Sequence, residues 1–258
     1  MTTKLDEKRD PRCVPIRLDR KVPEGDAINY PDYTLGEHRT WAHLYARQRA
    51  RLPRRSCREF LQGLDVMGFP EARIPSLREA SRKLYAATGW TVARVPGLLH
   101  EEEFFGFLAR RVFPSTDYIR RPDELDYTPA PDLFHDVFAH MPMITQPSFA
   151  DFYQRMGQVA LRARGADRRR IERFYWFTVE FGLMRTPEGV RVYGNGILSS
   201  MGEIVHALSD AVIRLPFDPD RIVEQEYVVD RLQTVLFVID SFEQLIEGFE
   251  KWAGSRGL

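Results

Sequence analysis

The spacing of apolar residues along the chain predicts mainly helices. Apolar positions repeat near every 3.6 residues from about Glu37 to Met67, where Gly68 and Pro70 end the pattern. Further helical stretches begin at Ser76 and near Ser200 and cover residues 101–111, 148–163, 168–181 and 242–252. Short β-branched runs at 89–96 and 235–239 and a hairpin at 183–193 predict strands. The predicted fold class is therefore mainly α with a few short β-strands.

The domain organisation follows from how composition changes along the chain. Residues 1–33 are polar and rich in proline, which favours an extended N-terminal arm that wraps a folded domain. We find no internal repeat, no low-complexity segment and no linker between two cores in the remainder. We therefore expect an arm over 1–33 and a single domain over 34–258.

The bulk composition excludes several kinds of partner. Among the 258 residues, 37 Lys and Arg balance 37 Asp and Glu, so no net charge attracts nucleic acid or an anionic membrane. The N-terminus lacks a signal-peptide core, and no apolar run reaches the length of a membrane span. Two cysteines, Cys13 and Cys57, allow one bridge at most. We expect a cytoplasmic protein with no nucleic-acid or membrane partner.

Two of the six histidines lie close together, in the segment PDLFHDVFAHMP. His135 and His140 are five residues apart, and in an α-helix their side chains would point about 140° apart. The two imidazoles can still converge on a metal that lies between their directions. The alternative is one buried and one surface histidine. Asp132 is placed to cap this helix.

Glu180 lies in the almost wholly apolar and aromatic run FYWFTVEFGL. Burial of a carboxylate is costly unless the group is paired or binds a cation. Glu180 could instead point to the surface or pair with an arginine. With His135 and His140 it would complete the facial triad of non-haem iron(II) oxygenases, which leaves open positions for oxygen and substrate. Zinc accepts the same ligands, so the ligand set alone does not choose the metal.

The segment RVYGNGILSS is a third candidate for ligand binding. Gly194 and Gly196 would let the backbone approach a ligand closely, and Ser199 and Ser200 offer hydroxyls at a helix N-terminus to a carboxylate. The alternative is a tight turn into a capped helix.

These segments resemble the pterin-dependent aromatic amino acid hydroxylase family, and most closely its single-domain bacterial phenylalanine 4-hydroxylases. The resemblance covers about residues 73–248 and is carried, in chain order, by RIPSLREAS, LYAATGWTVARVPGLL, FFGFLARRVFPSTDYIRRPDELDYTPAPDLFHDVFAHMP, FYWFTVEFGL, VYGNGILSS and FVIDSFEQL. It implies that family's catalytic-domain fold, Fe(II), a tetrahydropterin co-substrate and O₂. The activity it implies is conversion of L-phenylalanine to L-tyrosine. Alternatives keep the mechanism and act on tryptophan, on a modified aromatic amino acid or at ring position 3 of phenylalanine.

The resemblance also implies roles for individual residues. The family's iron ligands match His135, His140 and Glu180. Its pterin site matches Gly97, Leu98, Leu99, Phe104, Asp136 and Tyr175. Its amino-acid site matches Arg120, Thr128, Pro131, Trp176, Gly196 and Ser199. Among these, Arg120 and Thr128 are expected to hold the carboxylate and amino end of the substrate, with Gly196 and Ser199 lining the same end. Trp176 and Pro131 are expected to border its ring.

Departures from the family pattern occur at Ala139, Asn195, His100 and His206. Of these, Asn195 is expected to change what the substrate pocket accepts. The chain leaves no room for the family's N-terminal regulatory domain or C-terminal assembly tail, so we expect a monomer without allosteric control. Two other classes stay open: an idle metal or pterin sensor, and a zinc hydrolase with Asp136 as its general base.

Overall fold

Helices form most of the regular structure, which confirms the predicted fold class. The computed structural model describes residues 10–126, 128–229 and 231–258. Its α-helices, in chain order, are α1 Leu35–Arg49, α2 Arg58–Met67, α3 Leu77–Thr88, α4 Glu101–Ala109, α5 Met141–Ile144, α6 Pro147–Arg162, α7 Ala166–Tyr175, α8 Asn195–Leu198, α9 Met201–Ala207, α10 Pro219–Ile222 and α11 Phe242–Gly254. Single 3₁₀ turns cover Pro11–Cys13, Gly25–Ala27 and Pro122–Glu124.

Short strands of the described residues form two small sheets. They are β1 Thr91–Val95, β2 Val112–Thr116, β3 Leu183–Thr186, β4 Gly189–Val192, β5 Ile213–Pro216 and β6 Val235–Ile239. β1 and β2 pair in parallel, while the second sheet has the order β4-β3-β6-β5, with an antiparallel β3–β4 hairpin and parallel pairing elsewhere. The sequence pattern did not predict β2 and β5. Each contains a proline, which a strand tolerates only at an edge, and both are edge strands here.

Capping residues set the helix boundaries largely where the sequence placed them. Thr34 and Glu37 form a reciprocal capping box at the start of α1. Gly68, at φ 50°, ends α2 in the left-handed region that favours glycine. The hydroxyls of Ser76 and Ser241 accept hydrogen bonds from the third residue of α3 and α11. These local signals explain why helix positions were predictable.

The core behind the functional site is aromatic. Trp90 and Tyr153 are fully buried and stack with ring centroids 5.6 Å apart. Tyr153 in turn lies parallel to the His140 ring, at 6.2 Å. Gly157 allows α6 to pack directly on α4, because a Cβ there would lie 2.8 Å from the carbonyl oxygen of Phe105. The core thus supports His140 from behind with rigid rings.

The described part of the predicted arm, residues 10–33, lies against the rest of the chain. Arg12 pairs with Glu124 through two hydrogen bonds of 2.9 and 2.5 Å. Backbone hydrogen bonds join Ile16 to Leu98 and His100. Residues 1–9 of the predicted arm lie outside the described residues. The two boundaries, 1–33 and 34–258, stay predictions.

Two expectations from composition concern cysteines and membrane spans. Cys13 and Cys57 form no disulfide, and Cys57 is buried in the core. Within the described residues, no helix has the length and apolar character needed to cross a bilayer.

Candidate metal centre and active-site cavity

A π-helical turn brings the two histidines together. Residues His135–His140 wind as a π-helix rather than an α-helix, and α5 follows directly. Because i→i+5 hydrogen bonding places residues five apart on nearly the same face, the 140° separation expected for an α-helix does not occur. The Nε2 atoms of His135 and His140 lie 2.9 Å apart. As predicted, Asp132 caps this segment, since its carboxylate accepts from the His135 amide at 3.1 Å.

A second π-helical turn carries the carboxylate. Trp176–Glu180 continues α7 with π winding, so Tyr175 and Glu180 are another pair five residues apart. Glu180 is only 8% exposed. Its Oε1 lies 3.2 Å from His140 Nε2 and its Oε2 lies 3.6 Å from His135 Nε2. The surface alternative is therefore wrong, and among the described residues the carboxylate pairs with two histidines and a tyrosine instead of an arginine.

The hydroxyl of Tyr153 determines which nitrogen of His140 carries the proton. Burial raises the pKa of Tyr153 and Tyr175 well above 10, so both hydroxyls keep their protons. Tyr175 donates to Glu180 Oε1 at 2.8 Å, so Tyr153 must donate to Tyr175 across their 2.8 Å contact. The Tyr153 oxygen, 3.1 Å from His140 Nδ1, can then only accept. His140 is therefore protonated at Nδ1, which leaves Nε2 as the nitrogen that can bind a metal.

The side chain of Asn195 also contacts His140 rather than the substrate pocket. It is fully buried and its amide nitrogen lies 2.9 Å from His140 Nδ1, while its Oδ1 has no hydrogen-bond partner among the described residues. A 180° rotation of the amide would give the Nδ1–H a second acceptor. Asn195 contacts His140 and does not line the cavity, so its effect on what the pocket accepts, which stays a prediction, would pass through the imidazole.

Ser199 determines which nitrogen of His135 carries the proton, as Tyr153 does for His140. Its hydroxyl donates to the Asn195 carbonyl at 3.0 Å and therefore accepts from His135 Nδ1 at 2.9 Å. Burial lowers the pKa of His135 to about 4, so the ring is neutral near pH 7. Burial raises the pKa of Glu180, but the neighbouring His140 and His135 lower it by more than that. The net result is a pKa of about 2.

The resulting donor set fits a divalent cation. The Nε2 atoms of His135 and His140 lie 2.9 Å apart on one side of the Glu180 carboxylate, so both can bind the same cation. One ligand atom from each of His135, His140 and Glu180 lies within 4.8 Å of the others. Two neutral imidazoles and one carboxylate are the ligands of the non-haem iron facial triad.

A cavity of about 950 Å³ opens beside these three side chains. Every sequence-predicted site residue lines it. Besides His135, His140 and Glu180, they are Gly97, Leu98, Leu99, Phe104, Asp136, Tyr175, Arg120, Thr128, Pro131, Trp176, Gly196 and Ser199. The cavity has room for two small organic molecules next to the metal ligands.

Arg120 is held in place by a partner that the sequence did not reveal. Its guanidinium donates from Nε and Nη2 to the two carboxylate oxygens of Asp132, at 2.9 and 2.8 Å. Both side chains are buried, and among the described residues the other guanidinium nitrogen, Nη1, has no hydrogen bond to a protein group. Thr128 and Pro131 lie on the loop between them, where the Thr128 hydroxyl donates to the Ala130 carbonyl. The loop therefore presents a rigid cationic edge to the cavity.

Stacked rings form another wall of the cavity. The Trp176 indole lies between Phe181 and Tyr227, with centroid distances of 4.6 and 4.4 Å and near-parallel planes. On another part of the wall, Phe104 meets Tyr175 edge-on at 5.5 Å. Such surfaces bind flat apolar rings by contact and exclude water.

Asp136 is tied to the neighbouring strand. Its Oδ2 accepts from both the backbone and the hydroxyl of Thr116, each at 2.8 Å. Burial raises the pKa of Asp136 to about 7. Sequence reasoning found Asp136 but missed Thr116, which lies on the unpredicted strand β2.

Comparison with known proteins agrees with this geometry. The family model described as biopterin-dependent aromatic amino acid hydroxylase matches residues 6–256. The chain belongs to this family. Among its curated members, phenylalanine-4-hydroxylase of Ralstonia nicotianae is 49% identical over 83% of this chain and 69% of its own length. The enzyme of Caulobacter vibrioides is 48% identical over 90% of this chain and 78% of its own.

Solved hydroxylase structures share the fold. Phenylalanine hydroxylase of Chromobacterium violaceum with bound iron(III) and oxidised 7,8-dihydrobiopterin superposes with a TM-score of 0.83 at 43% identity, over 87% of this chain and 83% of that one. Phenylalanine hydroxylase of Legionella pneumophila gives 0.82 at 42% identity, over 87% and 92%. The predicted catalytic-domain fold of the hydroxylase family is confirmed.

The tyrosine relay predicts a specific effect on metal affinity. Tyr153→Phe removes the acceptor that keeps His140 protonated at Nδ1, so we expect roughly 10- to 100-fold weaker Fe(II) binding. Tyr193→Phe is the matched control, because Tyr193 is also fully buried and its hydroxyl has no partner among the described residues. Anaerobic metal titration measures both. Equal affinities in the two variants would contradict the relay.

Proposed function

We propose that this chain is a non-haem iron monooxygenase that uses a tetrahydropterin and O₂ to convert L-phenylalanine to L-tyrosine. The convergence of two Nδ1-protonated imidazoles and a buried carboxylate beside a large cavity carries the proposal. Relatives support it: one C. violaceum phenylalanine hydroxylase structure contains iron and oxidised dihydrobiopterin, and another contains iron and phenylalanine. A bound tetrahydropterin would supply two of the four electrons that reduce O₂ and the substrate ring the other two, with iron as the site of the reaction, so that one oxygen atom enters the ring and the other leaves as water.

In this proposal each part of the cavity has its own task. His135, His140 and Glu180 hold the iron. Gly97, Leu98, Leu99, Phe104, Asp136 and Tyr175 receive the pterin. The amino acid is received by Arg120, Thr128, Pro131, Trp176, Gly196 and Ser199. Asp132 occupies Nε and Nη2 of Arg120, and the rest of the guanidinium binds the substrate carboxylate through charge-assisted hydrogen bonds. The stacked indole of Trp176 positions the substrate ring and excludes water.

One observation disfavours the zinc hydrolase alternative. Such an enzyme needs a general base poised on a metal-bound water. The candidate base, Asp136, already accepts two hydrogen bonds at Oδ2 from Thr116, which hold its carboxylate against strand β2. The tetrahydropterin monooxygenase has no such requirement.

Turnover assays test the proposal. Purified protein is incubated with Fe(II), a reduced pterin, O₂ and phenylalanine or tryptophan, and products are identified by chromatography. We expect tyrosine in step with pterin oxidation, and none without O₂. Faster turnover of tryptophan, or 3-hydroxylated phenylalanine as product, would overturn the substrate assignment. Product formation without O₂ would favour a hydrolase, and metal binding without any turnover a sensor.

The arm over 1–33, the single catalytic domain over 34–258, a monomeric state and a cytoplasmic location also belong to the proposal. The zero net charge supports the further proposal that the chain has no nucleic-acid or membrane partner. Size-exclusion chromatography at micromolar concentration and cell fractionation test these points.

A further inference from the structure

A carboxylate in the cavity wall has no role in the site described so far. Glu203 lines the cavity together with Arg120, Gly196 and Ser199. It lies in the first turn of α9, whose N-cap Ser200 accepts from the Glu203 amide at 3.3 Å. Sequence reasoning placed the start of this helix but not the carboxylate, because Ser-x-x-Glu at a helix start normally indicates a capping box.

The carboxylate of Glu203 does not close that box. In α1 the Glu37 carboxylate accepts from the Thr34 amide and completes the box, whereas no such bond forms at Ser200. Glu203 Oε2 is buried and has no hydrogen-bond partner among the described residues. Burial alone raises the pKa of Glu203 to about 7. The fold therefore keeps a costly unpaired acceptor in the wall of the cavity.

A loop beside α9 contributes to this burial. His206, one turn after Glu203, contacts the Gln233 carbonyl at 2.8 Å, and Gln233 donates to the carbonyls of Val228 and Arg231. Val229 of this loop lines the same cavity. Glu203 and this loop thus form part of the wall of a cavity that a ligand can fill.

We infer that Glu203 accepts a hydrogen bond from the α-ammonium group of the amino acid substrate. An α-amino acid is a zwitterion, and the cavity lining offers the buried guanidinium of Arg120 and the carboxylate of Glu203, whose Oε2 is buried and unpaired. The guanidinium of Arg120 matches the substrate carboxylate, and Glu203 is the lining carboxylate with a buried oxygen that has no partner among the described residues, so it can match the ammonium. This inference rests on the proposed function and identifies a charged group that binds the substrate ammonium.

The pterin is the other molecule that a carboxylate could bind, since its ring carries N–H donors. Glu203 lies on α9, which packs on α8, the helix that carries Gly196 and precedes Ser199. The residues assigned to the pterin loop and its stacking ring, Gly97–Leu99 and Phe104, precede or lie on α4 instead. The neighbours of Glu203 in the chain are thus residues of the amino-acid site.

Glu203→Gln tests the inference by removing the charge while keeping the shape. We expect the KM for phenylalanine to rise about 10- to 100-fold, the loss of one charge-assisted hydrogen bond, with the pterin KM and the iron content within about threefold of wild type. Binding of 3-phenylpropionate, which lacks the ammonium group, is measured by calorimetry and should not change. Wild type should therefore discriminate between phenylalanine and 3-phenylpropionate, and the variant should not.

Glu79→Gln is the matched control, because Glu79 occupies the same position after a serine N-cap in α3 and is exposed to solvent. Glu79→Gln should leave the KM for phenylalanine, the KM for the pterin and the binding of 3-phenylpropionate unchanged. Glu203→Asp should bind phenylalanine more tightly than Glu203→Gln does. An unchanged phenylalanine KM, or equal loss of affinity for phenylalanine and 3-phenylpropionate, would overturn the inference. A rise confined to the pterin KM would assign Glu203 to the pterin instead. If another aromatic amino acid is the substrate, the same comparison with its deaminated form still tests Glu203, independently of the proposed substrate.

Discussion

His135→Ala should abolish hydroxylation and the thermal stabilisation by metal. The variant keeps two ligands, and a two-ligand site holds Fe(II) weakly. For wild type, free metal at 100 times its dissociation constant adds about 2.7 kcal/mol to the free energy of unfolding, or roughly 5–10 °C in Tm for a chain of this size. Differential scanning fluorimetry with Fe(II) or Co(II) under argon should show this shift in wild type and none in the variant.

His43→Ala is the control, since His43 is exposed on α1 and should leave both the metal shift and turnover intact. A normal metal shift in His135→Ala, or turnover near the wild-type rate, would show that the metal lies elsewhere.

Sequence reasoning selected the three candidate metal ligands because each lies in an unusual local context. A glutamate in an aromatic run and two histidines in one segment are visible without a fold. Their geometry was not predictable, because apolar periodicity does not distinguish π winding from α winding over a single turn. In an α-helix, a spacing of five residues would point the side chains of His135 and His140 well apart. In the π turn that forms, the same spacing brings them together.

Partners far apart in the chain were beyond sequence reasoning. Tyr153 reaches His140 from α6, and Thr116 reaches Asp136 from an edge strand that its own proline concealed. Neither residue differs in local pattern from ordinary core positions. Asn195 was seen as a departure, but only the fold shows that it contacts the back of an imidazole.

Gly194 was read from sequence as a site of close approach to a ligand, and the structure shows a different neighbour. A Cβ at Gly194 would lie 2.5 Å from the carbonyl oxygen of Glu180 and would also clash with the amide nitrogen of Gly182. A Cβ at Gly196 would lie 3.1 Å from the same carbonyl oxygen. Gly194 therefore makes room for the backbone of Glu180, and Gly196 does so while it also lines the cavity.

Gly194→Ala should lower the free energy of unfolding by roughly 3 kcal/mol, at the upper end of what overpacking costs, because both clashing groups are backbone and cannot rotate away. Its φ of −68° suits alanine, so the effect is one of space and not of backbone strain. What relaxation occurs must shift the Glu180 carbonyl, so the folded fraction should also bind Fe(II) more weakly. Gly106→Ala is the control, as a Cβ there meets nothing within 4 Å and alanine favours the helix by up to about 1 kcal/mol. Chemical denaturation and metal titration separate the two effects: lost stability with normal iron affinity would mean that Gly194 supports the fold without positioning Glu180.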